Sequence, residues 1–504
     1  MVFRFLIALA FLLCCASPGF PATYYVKTGG NDAAAGTSDA EAWAHSPDMG
    51  DDWTGTTTLV SGDSVYFRSE DTWTGTTSAA LFRAKTAGVN YSGSAYGTGT
   101  RATFTTSTTA FCVASLDASV LFTGFDINMG SKCTGGIGVG SYATSSFSGV
   151  TIVNCLVHDS LWPANPVGQR EYRYGINIGG YAANDVVVDS VLLENTEVYN
   201  TGHEGICLYP TILRTGCKAT NVTIRNCTVY NTGQVGEGYS EGFYVVNMTE
   251  GLLVEYCTIY NVGNGIDLGT STVYGGTPTN CTFRRNFILD NTYGFVFNPI
   301  SGMNGTVSVH DNIFSGNLVG IKIDQREYND SRIEIDNNTI RQEAVNDEYA
   351  VWVIAGATGN APFFLRNNLM LTGDSTVINF GSAAVEALFS HSNNLIYNSW
   401  GAAGVHVLID GTASYNRAGV LTWDATSQNT EPSLLNATGA YSAVGDFQLG
   451  PASPAINTGT NTGRSTDFYG SVRPQGGAYD IGAFEFPVST IGYGVTLGGG
   501  VTFR

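Results

Sequence analysis

The sequence predicts an all-β solenoid, and three observations carry that prediction. First, the phrase Asn221-Val-Thr-Ile-Arg-Asn-Cys-Thr-Val-Tyr-Asn231 returns as Gly251-Leu-Leu-Val-Glu-Tyr-Cys-Thr-Ile-Tyr-Asn261. Aligned on its cysteine, the phrase extends into a column: Cys155, Thr196, Cys227, Cys257, Asn286, Asn312, Asn338, Asn368 and Asn394. These positions fall 41, 31, 30, 29, 26, 26, 30 and 26 residues apart, and recurrence at such a period marks stacked coils. Second, apolar residues two apart precede each column position, as in Val222/Ile224, Leu252/Val254, Val307/Val309 and Ile333/Ile335. That spacing puts both side chains on one face of a strand. Third, each repeat holds a further strand opened by glycine: Gly175-Ile-Asn-Ile, Gly205-Ile-Cys-Leu, Gly242-Phe-Tyr-Val, Gly265-Ile-Asp-Leu, Gly294-Phe-Val-Phe and Gly320-Ile-Lys-Ile.

A leucine-rich repeat has a similar period and a similar Asn/Cys position, but it continues into a helix or an irregular arc. Here Tyr-Asn-x-Gly and another Gly-Ile-x-Ile strand follow, and β-branched residues outnumber Leu along the strands. The pattern fits a right-handed parallel β-helix with at least two strands per coil. The Asn column is expected to form an internal ladder, because a buried amide is tolerated only when hydrogen-bonded.

In chain order, residues 1–22 read as a signal peptide, with Arg4, an apolar run Phe5–Cys15 and small residues after it. The β-helix domain is expected over 23–486, with Ser38–Ala44 opening a short capping helix and Gly62–Arg68 the first coil. The clear repeats span 133–410. A closing segment over 446–486 is expected to cover the last coil, whose apolar end and strand edges need a lid. Residues 487–504 form a tail. No later apolar run is long enough to span a bilayer, so the chain is expected to be exported: secreted, at the cell surface, or periplasmic. Nothing in the sequence fixes an oligomeric state.

Only 13% of residues are charged, and the net charge is −19. Nucleic acid is excluded as a partner, since its binders carry basic patches. Of the ten cysteines, Cys14 and Cys15 lie in the signal peptide. Cys155, Cys227 and Cys257 are expected as buried thiols, because neighbours about 4.8 Å apart across a sheet are poorly placed for a disulfide. Cys207 and Cys217 flank an insertion and are the better-placed pair.

Counting from the strand-opening glycine gives surface columns. One place before it stand Tyr174, Glu204, Glu241, Asn264, Tyr293 and Val319. Two before it stand Arg173, His203 and Ser240, and two after it Asn177, Cys207, Tyr244, Asp267, Val296 and Lys322. Stacking makes Glu204 and Glu241 neighbours, with His203 and Asp267 close by. This set is the candidate catalytic group. Two carboxyls about 5 Å apart suit a retaining glycosidase and about 6.5–9.5 Å an inverting one. Glu204, Glu241 and Asp267 are also the candidate ligands of a Ca²⁺ ion, which would hold a uronate for β-elimination with His203, Lys322 or Arg173 as base. Tyr174, Tyr244, Tyr293, Arg173, Lys322 and Trp162, in the long insertion Leu161–Arg173, are the candidate sugar-binding residues. Against this, solenoid turns commonly carry polar residues beside glycine. His158-Asp159 reads as a solvated turn, and Lys322 with Asp324 as a surface pair.

The repeats resemble the parallel β-helix repeats of the pectate-lyase-like superfamily of secreted proteins, over nearly the whole mature chain. The opening Thr23-Tyr-Tyr-Val-Lys-Thr-Gly-Gly-Asn-Asp32 is similar to their entry segment. The closing Asp446-Phe-Gln-Leu-Gly-Pro-Ala-Ser-Pro-Ala-Ile-Asn457, Asp467-Phe-Tyr-Gly-Ser-Val-Arg-Pro474 and Tyr479-Asp-Ile-Gly-Ala-Phe-Glu-Phe486 is similar to their final segment. No catalytic set carries over. Gly202-His203-Glu204-Gly205 only partly resembles the Gly-His-Gly motif of polygalacturonases, and neither the Arg-x-Pro-x-x-Arg of pectate lyases nor the Asp-Pro-His-Asp of mannuronan epimerases occurs. The resemblance implies an exported protein that binds an extracellular or cell-wall polysaccharide and cleaves it as lyase or glycosidase. The alternative is a non-catalytic surface or matrix adhesin, or a structural solenoid.

Overall fold

The computed structural model describes residues 20–487 except 77–79, 107–111, 131–132, 161–172, 180–185, 209–217, 234–239, 247–248, 271–277, 300–303, 325–326, 329–330, 343–348, 355–357, 360–361, 374–375, 400 and 437–440. Residues 1–19 of the expected signal peptide, Trp162, Cys217 and the tail beyond 487 lie outside the described residues.

Three long sheets of 14, 12 and 13 strands wind into a right-handed parallel β-helix. Most coils contribute one strand to each sheet; Thr23–Val26 enters the first sheet alone, Thr249–Glu250 and Leu253–Glu255 share one coil's place in it, and Ala413–Asn416 adds an antiparallel strand to the third. In the coil that carries the repeated phrase these strands are Lys218–Arg225, Thr228–Tyr230 and Glu241–Val246. The alternation resuming at Val229 is thus a separate short sheet, so the coil is three-sided. The first-sheet register is the one read from the cysteine column, with Val191 paired to Val222 and Ile224 to Val254. Inward residues of all three sheets form one continuous core from Val26 to Val420.

Each corner has its own chemistry. Between the first and second sheets, the residue before the ladder is in the left-handed region: Asn154, Asn195, Asn226, Asn337, Asn367 and Asn393 have φ between 50 and 56°. Asn tolerates that conformation better than most residues, which explains the Asn-Asn pairs at 337–338, 367–368 and 393–394. The next residue turns inward. Asn338 Nδ2 donates to Val309 O (2.9 Å) and Asn368 Oδ1 (3.0 Å), while its Oδ1 accepts from Asn312 N and Nδ2, both at 3.0 Å. The same pattern runs from Asn286 to Asn368, and the backbone N–H of Asn394 ends it on Ser427 Oγ. Asn338→Ala leaves several of these buried groups unpaired and is expected to cost about 2–3 kcal/mol, measurable as a lower urea midpoint with unchanged slope. Cys155, Cys227 and Cys257 occupy the same column as free, buried thiols.

A second inward column follows the short sheet: Thr201, Thr232, Asn291 and Asn317, with Asn291 Nδ2 donating to Asn317 Oδ1 at 3.0 Å. Its signal is in the sequence as Asn286/Asn291 and Asn312/Asn317, the same ladder repeated five residues on. The strand-opening glycines sit at the third-sheet side of this corner. A Cβ at Gly205 would meet Val229 Cγ1 at 2.3 Å and Gly242 O at 2.8 Å. Glycine is required there by close approach, not by an unusual φ.

At the N-terminal end, Thr23–Val26 already pairs with Ser64–Arg68, so the first coil starts before Gly62. Only a short 3-10 turn, Asp39–Glu41, forms where a capping helix is expected. Trp43, fully buried, stacks on Tyr24 at 4.4 Å and closes the core.

The closing segment departs from expectation. It is not an end lid. Residues 413–416 and the short helix Val420–Trp423 cover the last coil. Residues 434–436 and 441–486 instead run back along the outside of the second sheet. Leu434, Leu449, Ala455 and Ile481 pack on Leu369 and Leu395, and Phe447, Phe468 and Phe484 on Phe287 and Ile313. The physical reason lies in the outward positions of the second sheet. They read Glu197, Thr228 and Thr258 in earlier coils, then Phe287, Ile313, Thr339, Leu369 and Leu395. Four of these five later positions are apolar and need a cover there, and the fifth, Thr339, accepts from Ala483 N of the covering chain at 3.0 Å. Arg285 fixes the strap, donating to Asp467 O at 2.9 Å and to Thr466 Oγ1.

Candidate functional site

The third sheet brings the predicted columns into register. Cys207 pairs with Tyr244, Tyr244 with Asp267, Asp267 with Val296, and Val296 with Lys322. Glu241 pairs with Asn264 and Asn264 with Tyr293. Gly175 N donates to Glu204 O (3.1 Å) and Gly205 N to Glu241 O (2.9 Å), which stacks Tyr174, Glu204 and Glu241 on successive coils. Each glycine packs closely against the next coil, a Cβ at Gly175 meeting Val198 Cγ1 at 2.3 Å and Gly205 O at 2.8 Å.

The columns do not line an open surface groove. Glu204, Glu241 and Asp267 are 3, 4 and 4% exposed, and Arg173, Tyr174, Asn177 and His203 are buried with them. Tyr174, Cys207 and Val246 form a small apolar cluster against which Tyr244 packs. The outer face of this sheet therefore has its own buried layer, separate from the core. Repeat spacing assigns side chains to an inside or an outside, but cannot say whether the outside is covered.

Burial dominates the electrostatics. It pushes the Glu241 carboxyl well above the usual range, and the charges of Asp267 and then Glu204 add to the effect. Burial also raises Glu204. Asp267 is pushed up to about 7 by burial, against hydrogen bonds from Asn264 and Asn298 and the charge of Lys322. Asn264 Nδ2 reaches Asp267 Oδ2 at 3.0 Å. Among the described residues, Glu204 Oε2, Glu241 Oε2 and Asp267 Oδ1 are buried without a hydrogen-bond partner. Such groups are costly in a fold that otherwise satisfies its interior. The Cys207 thiol is driven up by burial and by Glu204 and Glu241, and so stays protonated and unreactive.

Toward the C-terminal coils the face becomes aromatic and half-buried. Lys322 Nζ lies 4.7 Å from the Tyr293 ring centroid and 5.5 Å from that of Trp352, and pairs with Asp324 at 3.1 Å. Tyr349 stacks near Trp352 at 5.7 Å. Trp352 and Tyr349 were missed because alanine, Ala350, replaces the strand-opening glycine in that coil; the signal was the continued column, in which Lys322 pairs with Trp352.

Among the described residues, no three of His, Cys, Asp or Glu are grouped to hold a metal ion. Cys207 is a free thiol. His158 is not a solvated turn residue: it pairs with Asp126 (2.8 Å) and Asp159 (2.9 Å) and stacks on Tyr199. The stack continues through Tyr230 and Tyr260 at 5.0 and 4.8 Å. Rings stacked on one another turn edges outward, so this ladder offers little face to a sugar. No helix among the described residues is long and apolar enough to cross a membrane.

Residues 145–340 match the family model described as "Right handed beta helix region". The sequence matches none of the curated proteins with which it was compared. Among solved structures, the chain is similar to XylC in complex with xylose, at 8% identity and TM-score 0.50, covering 92% of this chain and 99% of that one. It is also similar to pectate lyase Pel9A, at 14% identity and TM-score 0.44, covering 93% and 97%. A rhamnogalacturonan lyase aligns at 13% identity and TM-score 0.39, covering 86% and 95%. At these identities the likeness is one of fold.

Proposed function

We propose that this chain is an exported, carbohydrate-active β-helix protein that hydrolyses a glycosidic bond of an uncharged polysaccharide at the third sheet. One observation carries the reading: three carboxyl groups on adjacent coils each hold a buried oxygen without a partner among the described residues. Glycoside hydrolysis needs one protonated and one ionised carboxyl. Glu241, raised most by its surroundings, is suited to be the acid. Asp267, supported by Asn264 and the charge of Lys322, is suited to be the base or nucleophile. Tyr293 and Trp352 beside Lys322 give the half-buried aromatic surface on which a sugar ring can pack.

The charge balance separates hydrolysis from elimination. A lyase acting on uronates would bring negative charge to a cluster of acids in a chain of net charge −19. Glu241→Gln is expected to lower turnover by at least about 100-fold, the usual scale of general acid catalysis. The measurement is new reducing ends from a panel of neutral polysaccharides. Anomer analysis by NMR then tells the working pair. Retention goes with a working pair about 5 Å apart and inversion with one about 6.5–9.5 Å apart. Ultraviolet-absorbing unsaturated ends would replace this reading with a lyase.

A second reading, a non-catalytic solenoid, is favoured by the low exposure of the three acids. It predicts no turnover of any polysaccharide, in wild type or variant.

A further inference from the structure

The strap creates a cleft unrelated to the third-sheet acids. It lies between the ends of the second-sheet strands Thr339–Gln342, Leu369–Thr372 and Leu395–Asn398 on one side and residues 431–434 with Tyr441 on the other, with a volume of about 390 Å³. That is within the usual range of small-molecule sites, roughly 300–1,000 Å³. Its polar wall is made by Arg341, Thr372, Tyr397, Ser399, Glu431 and Tyr441.

We infer that this cleft is a second, non-catalytic binding site for a neutral saccharide, held between the Arg341 guanidinium and the Glu431 carboxylate. Arg341 is aligned by stacking, its guanidinium carbon 3.3 Å from the Tyr441 ring centroid. Burial lowers its pKa to about 10, so it stays a charged donor at neutral pH. Tyr397 is held in the same way by Arg417, 4.5 Å from its ring, and Arg417 is itself fixed to Asn398 O at 3.0 Å. The Ser399 hydroxyl donates to Gly373 O at 2.6 Å, leaving its oxygen to accept.

The donor set selects the ligand. Arg341 offers only donors and the Glu431 carboxylate chiefly acceptors, while Thr372, Ser399, Tyr397 and Tyr441 carry hydroxyls. An anion would gain from Arg341 and be repelled by Glu431; a cation would meet the reverse. A sugar hydroxyl both donates and accepts, so a neutral polyol satisfies both walls together. Each tyrosine already has a ring face occupied by arginine, so binding runs through hydroxyls more than through stacking. An extended glycan held here would lie along the strap, on a different side of the coil from the acids.

The inference stands on the cleft and does not need the third sheet to be catalytic. The test uses the intact protein carrying Glu241→Gln, so that ligands persist. Xylohexaose, cellohexaose, mannohexaose and hexagalacturonate are titrated by calorimetry, with and without Arg341→Ala or Glu431→Gln. At least one neutral hexasaccharide is expected to bind, and each variant to weaken it tenfold or more with Tm unchanged. Glu431 is exposed, so Glu431→Gln keeps the test valid if Arg341→Ala impairs folding. Binding of hexagalacturonate alone, binding of none of the four, or neutral binding indifferent to Glu431→Gln overturns the proposal.

Discussion

Arg473→Ala is expected to lower the stability of the protein by about 3–5 kcal/mol, the scale for removing one partner from a buried ion pair. Arg473 is fully buried. Its Nη2 donates to Asp311 Oδ1 at 3.0 Å and its Nη1 to Glu485 Oε1 at 2.6 Å, and both carboxylates are all but inaccessible. Nη2 also donates to Gly482 O at 2.8 Å. Alanine leaves two carboxylates in the dry seam between strap and coil with no countercharge. Urea unfolding should show the lower midpoint, and limited proteolysis should cut first within 434–486. The triple variant Arg473→Met, Asp311→Asn, Glu485→Gln should recover much of the loss, because it removes the charges together with their partner. Unchanged stability in Arg473→Ala would mean that apolar packing holds the strap without this pair. Arg464 adds a weaker tie to the same seam, bridging Glu334 (2.6 Å) and Asp336 (3.2 Å).

Asp267→Asn is expected to do the opposite and stabilise the fold at alkaline pH. The folded-state pKa of Asp267 is raised, from 3.8 to about 7, so the folded chain keeps a proton that the unfolded chain has released. Its contribution is complete below the unfolded value and is lost as pH rises through the folded one. Stability therefore falls by up to about 1.4 kcal/mol per pH unit between these values, reaching about 4 kcal/mol at pH 8. Asn stays neutral and lacks this slope. Wild type and variant should have similar urea midpoints at pH 4 and diverge above pH 5, with the variant more stable. Glu241, raised by burial and by its acidic neighbours, should add a loss of the same sign. A variant less stable than wild type at pH 8 would show that the carboxylate is ionised and compensated in the fold. Ca²⁺ added to wild type at pH 8 would then raise its midpoint and not that of the variant.

Much of the architecture was legible from residue spacing. A column of Cys and Asn with β-branched residues two apart is enough to specify one strand, one turn and a stacking register, because a slip of one residue would turn every side chain to the wrong face. The acidic register was legible for the same reason: Tyr244 beside Asp267 and Asn264 beside Tyr293 follow from counting after glycine. The second ladder could have been read from Asn286/Asn291 and Asn312/Asn317. The strap left a fainter trace, the change from Thr228 and Thr258 to Phe287 and Ile313 at outward positions. A strand apolar on both faces announces a cover without saying which segment supplies it.

The sequence by itself determined the coil, its inward ladders and which acids share a face, since these depend on local periodicity repeated along one axis. Tertiary structure alone decided that the acids are buried, that the C-terminal segment is a lateral strap, and that Arg473 joins Asp311 across 162 residues. Those outcomes depend on where distant, non-repeating chain comes to rest on the solenoid. Burial there, not spacing, sets the charge state of Glu241 and Asp267.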